Sequence, residues 1–233
     1  MAVWIVVPYR PQPECDRAAQ WARLREHLAV HGAKRVVVAE QSFAHRRFNR
    51  GALLNHGALC ALRLGARAMV FHDVDLLPGL AGTGHYHDPG LYAQGAVHLA
   101  SRFGRYQGAR YFGGIVGISA RDVARTNGYP ARIWGWGGED DAQRRRCEAA
   151  GVAIAALPVP ITDLEALDDV ETKLAQLRAV GAKCPDKRER VAADRWTWHR
   201  DGINTTDWSG VHSVLIYTRG DLTVVRLWVS PPY

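Results

Sequence analysis

Cysteine is scarce and unpatterned in this chain. Among 233 residues there are four, Cys15, Cys60, Cys147 and Cys184, widely spaced and without a C-x-x-C pair. That excludes a disulfide-stapled scaffold, argues against a zinc ribbon and fits a reducing compartment. No apolar run approaches the roughly 20 residues of a membrane span. The opening segment, Val3-Trp4-Ile5-Val6-Val7-Pro8, is too short for the apolar part of a secretion signal and has no basic stretch before it. Internal repeats, low-complexity tracts and linker-like stretches are also missing, so the chain reads as one domain spanning 1–233.

What is present is globular in kind. Hydrophobic residues at 47% and charged residues at 23% exclude disorder. A chain of this length buries roughly 70–75% of its unfolded surface and needs no structural metal to hold a core. Thirty Lys and Arg against 23 Asp and Glu leave a net charge of +7. That surplus favours anionic partners such as phosphates, nucleotides, nucleic acid or acidic glycans, without choosing among them.

Short apolar, β-branched runs alternate with longer helical stretches. Trp4–Val7 reads as a buried strand stopped by Pro8, with further strands at Arg35–Ala39 and Ala68–His72. Between them, Glu14–His31 carries Trp21, Leu24 and Leu28 at helical spacing, and Ala52–Leu64 ends at Gly65, so both read as helices. This β-α-β-α-β order predicts an α/β fold, its sheet covered by helices. From Gly79 to Gly108 a loop is expected, interrupted by a short strand near Ala96–Ala100. Gly114–Ser119 follows as a strand, Glu139–Ala150 and Asp168–Val180 as helices, and polar Cys184–Asp194 as a flexible loop. Val214–Tyr217 and Leu222–Val229, separated by Thr218-Arg219-Gly220-Asp221, predict an antiparallel hairpin.

Five segments carry chemistry. In Phe71-His72-Asp73-Val74-Asp75-Leu76-Leu77-Pro78 a buried strand ends in two acids two residues apart. Carboxylates at that end of a parallel strand lie where open α/β sheets bind ligands, and they suit Mg²⁺ or Mn²⁺ bridging a diphosphate. The same acids could instead cap a turn. In Trp134-Gly135-Trp136-Gly137-Gly138-Glu139-Asp140-Asp141, tryptophans between glycines make an aromatic-walled loop and three acids open the next helix. Such rings stack on sugars and bases, and a neighbouring carboxylate is a natural general base; the plainer alternative is core packing and helix capping. Phe48-Asn49-Arg50-Gly51-Ala52-Leu53-Leu54-Asn55 sets an arginine at a helix start, where it meets phosphate or stays solvated. Pro8-Tyr9-Arg10 closes the first strand, and Tyr111-Phe112-Gly113-Gly114 leads into another.

Taken in order and spacing, these segments together with Val7 and Asp201-Gly202-Ile203-Asn204-Thr205 resemble the β-1,4-galactosyltransferase family, over residues 3 to about 206. The resemblance implies a GT-A fold: a Rossmann-like, mixed but mostly parallel sheet flanked by helices. Its donor-binding part would span about 1–120 and its acceptor and catalytic part about 121–233. It further implies inverting, metal-dependent transfer from a UDP-sugar to an acceptor hydroxyl. Pro8, Arg10, Phe48 and Arg50 would hold the uridine and its surroundings, Asp73 the nucleotide, and Asp75 a Mn²⁺ bridging the diphosphate. Tyr111 and Gly114 would line the donor pocket. Trp136 and Glu139 would surround the sugars, with Asp140 as general base. A tyrosine at the position of Tyr111 crowds the sugar 2-position in relatives, which favours UDP-galactose over its N-acetylated counterpart and leaves glucose and xylose as alternative donor sugars.

The chain departs from the family in places. Animal members complete the metal site with histidine in an H-x-H or M-x-x-H segment. Here the stretch reads Ile161-Thr162-Asp163-Leu164-Glu165, so Asp163 and Glu165 are expected to take those places, with His199 and His212 as fallbacks. All-oxygen ligation would widen tolerance toward Mg²⁺. Ala142 stands where the family has a further acid. The animal proteins' membrane anchor and stem have no counterpart here, so a cytoplasmic bacterial or viral enzyme is expected. Arg102, Arg105, Arg110 and Arg144–Arg146 raise an anionic acceptor, nucleic acid included. Two rivals remain: a non-catalytic nucleic-acid-binding protein, and a metal phosphoesterase built on His72, Asp73 and Asp75.

Overall fold

Strand β1 (Ala2–Tyr9) sorts its side chains by the two-residue period of a strand. Val3, Ile5 and Val7 face one core cluster and Trp4 and Val6 the other, so both faces of the sheet must be covered. The computed structural model describes residues 2–11, 16–42, 47–79, 83–104, 111–167 and 169–231. Helix α1 (Arg17–Val30) covers the first face with Trp21, Leu24 and Leu28. After β2 (Arg35–Gln41), helix α2 (Arg50–Arg63) covers the second face with Leu53, Leu54 and Ala58, and β3 (Ala66–His72) follows.

The chain continues through β4 (Leu76–Pro78), β5 (Ala96–His98), β6 (Ile115–Ser119), α3 (Ala120–Arg125), α4 (Glu139–Ala149), β7 (Ile154–Ala156) and β8 (Ile161–Asp163). It ends with α5 (Val170–Ala179), α6 (Lys187–Thr197), β9 (Val211–Arg219) and β10 (Leu222–Val229). Among the described residues eight strands form one sheet in the order β7-β5-β6-β3-β1-β2-β10-β9, while β4 and β8 pair separately. The centre, β3-β1-β2-β10, is parallel, β6 runs antiparallel to both β3 and β5, and β9–β10 is the expected antiparallel hairpin. No helix among the described residues is long and apolar enough to cross a membrane.

Two expectations need correction. Strand β1 does not stop at Pro8 but runs on to Tyr9, with Pro8 opposite Ala39 of β2. Pairing with β3 ends at Val6, so the missing proline N–H leaves no ladder bond unmade on that side. The Cys184–Asp194 segment is not a flexible loop, because α6 occupies most of it. Its polarity hid a helix that buries only Val191 and Asp194, the latter against α4. Within the remaining elements, Glu14 and Cys15, residues 80–82, 105–108 and Asp168 lie outside the described residues.

The tie between α4 and α6 is ionic. Arg146, 1% exposed, donates from Nε and Nη2 to the two carboxylate oxygens of Asp194, at 3.0 and 2.5 Å. The rest of its fork reaches the carbonyls of Asn127, Gly128 and Asp201. Arg146 is therefore a structural clamp and no part of an anion-facing surface. Arg144 pairs with Glu148 on its own helix, and Arg145 donates to the Val191 carbonyl. Arg105 and Arg110 lie outside the described residues, and Arg102 is exposed. The Asp201–Thr205 segment serves the same region: Asp201 accepts from the Ala131 amide, and Asn204 bonds reciprocally with Asn127. Breaking one partner of a buried ion pair strands the other, so Asp194→Ala is expected to cost about 3–5 kcal/mol. A urea midpoint shift at constant slope measures it, and a loss below about 1 kcal/mol would contradict the clamp.

Candidate active site

The site is assembled at the ends of elements. Strand β3 ends at His72, and Asp73 is fixed by its amide donating to the Gly114 carbonyl at 2.8 Å. Opposite, Asn49 caps α2: its side chain accepts from the Ala52 amide and donates to the Ala131 carbonyl, so Arg50 leaves the helix start toward Asp73. The third contributor is α4, entered through the Trp134–Gly138 loop. Gly135, Gly137 and Gly138 all have φ near +100°, a conformation side-chain-bearing residues rarely adopt, which explains the glycine density. The Gly135 amide donates to the Phe48 carbonyl at 2.8 Å, latching this loop to the start of α2.

Arg50 is the centre. Its Nε donates to Asp73 Oδ1 at 2.9 Å and its Nη1 to Asp140 Oδ1 at 2.8 Å, with Glu139 Oε1 3.8 Å from Nη1. One guanidinium faces three carboxylates. Burial raises Asp73, Glu139 and Asp140 above the ordinary carboxylate range; Arg50 opposes the shift and the neighbouring acids add to it. Asp140 goes furthest, to about 8. Glu139 Oε2 is buried without a hydrogen-bond partner. Gly113 permits this crowding, because a Cβ there would stand 2.2 Å from Asp140 Oδ2.

A second ionic group lies along the same cavity. Arg17, the first residue of α1, donates to Asp75 and to Glu165, each at 2.9 Å, and Lys173 of α5 also binds Glu165. Burial would raise Asp75, but the Arg17 guanidinium overcomes it and holds the carboxyl below its ordinary range. The β4–β8 pair and the Leu164 amide, which donates to the Asp75 carbonyl, bring Glu165 here.

The cavity between these groups measures about 380 Å³ and is lined by Pro8, Arg10, Phe48, Arg50, Asp73, Asp75, Tyr111, Trp136, Glu139, Asp140 and Glu165 from among the expected residues. Two expected residues do not line it. Gly114 sits behind Tyr111, where a Cβ would meet the phenol oxygen at 2.8 Å, and it contributes its carbonyl to Asp73. Asp163 turns its carboxylate onto its own loop, accepting from the Glu165 amide at 3.0 Å. The set Asp75, Asp163 and Glu165 is therefore not assembled as three converging ligands, and no group of three or more His, Cys, Asp or Glu among the described residues is placed to hold a metal. His199 and His212 are away from the cavity, His212 against Ser230. His72, the proposed phosphoesterase histidine, is buried and bonded to the Asp73 carbonyl and the Tyr86 hydroxyl, and burial lowers it to about 4.

Sequence reasoning missed Arg17, Lys173 and Lys187. Lys173 had a signal, since it interrupts the apolar face formed by Val170, Leu174 and Leu177. Arg17 had none beyond its place at a helix start.

A family model described as the N-terminal domain of galactosyltransferase matches residues 95–169. Human β-1,4-galactosyltransferase 2 is 34% identical over 166 residues, covering 68% of this chain and 41% of its own length. Human β-1,4-galactosyltransferase 3 is 30% identical over 163 residues, covering 68% and 39%. The chain belongs to the β-1,4-galactosyltransferase family. It spans about two fifths of the length of these curated members. The catalytic domain of Drosophila β-1,4-galactosyltransferase 7, in complex with xylobiose, superposes with a TM-score of 0.71 at 21% identity, over 99% of this chain and 94% of that one. The fold is therefore GT-A, with the mixed sheet described above. In this family member the motif residues at the strand ends meet around Arg50. The proton held there is the measurable consequence. In a ¹³C-carboxyl NMR titration Asp140 is expected to stay protonated at neutral pH and to lose its proton near about 8. A midpoint in the usual range, about 4, would contradict the crowding.

Proposed function

We propose that this protein is an inverting, metal-dependent galactosyltransferase that moves galactose from UDP-galactose to an acceptor hydroxyl with β-linkage. The observation that carries the reading is the division of the cavity. One cavity is lined by Asp140, Glu139 and Trp136, by Asp75 and Glu165, and by Pro8, Arg10 and Phe48, and separate guanidiniums, Arg50 and Arg17, hold Asp140 and Asp75. The Drosophila neighbour has been crystallised with manganese, UDP-Gal and xylobiose, which supports the same class of donor here.

The donor set fits a hard divalent cation: Asp75 and Glu165 are carboxylates that already converge on a positive group. They would hold Mn²⁺, or Mg²⁺, whose charge when bound favours departure of the UDP diphosphate. The chain's own groups do the rest. Asp140 accepts the proton of the acceptor hydroxyl from the face opposite the leaving group. Its high affinity for a proton sets the sign of the pH dependence: below about 8 the carboxyl is already protonated, and above it the base form is available. A single displacement on an α-linked donor yields the β product. Glu139, with one oxygen unpartnered, is poised to accept a hydrogen bond from a sugar hydroxyl. Trp136 offers a stacking face, and Tyr111 crowds the donor sugar, supporting galactose over an N-acetylated sugar.

Trp136 also lines a second cavity in which Lys183, Lys187 and Arg188 stand against Asp186 and Glu189, a small positive balance that makes an acceptor bearing a negative group the class to test. Of the α4 arginines that raised nucleic acid as a partner, Arg144 is paired with Glu148 and Arg146 is buried on Asp194, while Arg145 is exposed. Cys60, Cys147 and Cys184 are buried free thiols, consistent with the proposed cytoplasmic location.

Turnover with UDP-galactose and paired neutral and carboxylated acceptor glycosides tests the proposal, with the product anomer read by ¹H NMR. Wild type is expected to give the β anomer and to prefer the carboxylated acceptor. Asp140→Asn is expected to lose about 10²–10⁴ in kcat while still binding donor. An α product, or Asp140→Asn within about threefold of wild type, would overturn the mechanism. Preference for the neutral acceptor would overturn only the acceptor class.

A further inference from the structure

Both carboxylates that would receive the cation are already ion-paired in this structure. Asp75 and Glu165 contribute two negative charges, and Arg17 and Lys173 return two positive ones at hydrogen-bond distance. The side chains are largely withdrawn from water: Arg17 is 15% exposed, Asp75 13%, Lys173 9% and Glu165 6%. Arg17 lies between the carboxylates, one terminal nitrogen on each, while its Nη1 also donates to Gln20 at 2.7 Å. Lys173 touches only the Glu165 end of this chain of charges among the pairs described. Thus the group that must give way when a divalent ion meets both carboxylates is Arg17.

We propose that Arg17 is a built-in competitor for the divalent cation: its guanidinium holds Asp75 and Glu165 until an incoming nucleoside diphosphate draws it away. The inference rests on the metal-dependent reading above and adds to it an order of events. A cation that draws Asp75 and Glu165 to itself faces the displaced positive groups of Arg17 and Lys173 among largely buried side chains, where repulsion is weakly screened. The diphosphate supplies negative charge and hydrogen-bond acceptors to which a guanidinium fork can move, restoring neutrality with the ion in place. Metal and donor therefore bind as a mutually dependent pair, each raising the other's affinity by the same factor. In the donor-free protein Asp75 and Glu165 remain ion-paired, so neither of these two carboxylates is stranded. Arg17 is a positioning residue in this account. Its effect is read in metal affinity, and a merely structural role would not reproduce it.

Mn²⁺ binding, followed by electron paramagnetic resonance of the free ion without and with UDP, tests the proposal on the full chain. Without UDP, Arg17→Gln is expected to bind Mn²⁺ at least about tenfold more tightly than wild type, and UDP is expected to strengthen Mn²⁺ binding less in the variant. Arg17→Lys, which keeps the charge, is expected to stay weak like wild type. Adding Asp75→Asn to Arg17→Gln should abolish the gain, and thermal melts check that each variant is folded. Equal or weaker Mn²⁺ binding by folded Arg17→Gln overturns the inference while leaving the metal-dependent reading intact if UDP still recruits Mn²⁺ to wild type through Asp75. If UDP recruits no Mn²⁺ to any variant, the metal-dependent reading fails and the inference falls with it.

Discussion

A single guanidinium shared by three carboxylates is the constraint around which this molecule is organised. Arg50 bonds Asp73 and Asp140 directly and lies 3.8 Å from Glu139, joining the end of β3 and the start of α4 to the start of α2. Asp73 and Asp140 lie 23 and 90 residues from Arg50 in the chain, so the cluster exists only when the sheet is assembled. Its electrostatics follow from counting. Burial raises all three carboxyls, one positive charge does not offset three negative ones, and Asp140 is shifted furthest, to about 8. A group that keeps a proton until slightly alkaline pH is well suited to exchange one with a hydroxyl at working pH.

Around this centre the fold supplies close approach and rigidity in equal measure. Gly113 lets Asp140 reach the cavity wall, and the glycine loop before α4 is tied to the start of α2 by a backbone hydrogen bond. Behind α4, Arg146 fastens α6 and the 127–128 turn, which fixes the helix that presents Glu139 and Asp140. The opposite flank is built differently. There the small β4–β8 sheet carries Glu165 to Asp75, and Arg17 pairs with both carboxylates.

Much of this was legible in the sequence, for an identifiable reason. Residues such as Asp73, Asp75, Arg50 and Asp140 sit at the termini of strongly patterned elements, where local sequence announces both the element and its end. The α2 cap at Asn49 and the hairpin of β9 and β10 were similarly local. What escaped was decided by distance. Arg17 meets partners 58 and 148 residues away, and nothing near it in the chain marks that role. Helix α6 reads as a loop in the sequence because it buries only Val191 and Asp194, the latter on Arg146. Pro8 looked like a strand stop because its effect depends on which neighbour is missing, a property of the assembled sheet. Asp163 and Glu165 are adjacent in kind and spacing, yet only Glu165 enters the cavity, because Asp163 is committed to its own turn.

The central claim is that the Arg50 cluster is the donor site of a galactosyltransferase. Calorimetric titration of UDP-galactose with Mn²⁺ into wild type and Arg50→Gln tests it most directly. The account predicts one saturable site in wild type and an affinity reduced by at least about tenfold in the variant, equivalent to about 1.4 kcal/mol. Equal affinity in a folded Arg50→Gln protein, or no binding to wild type, would contradict it.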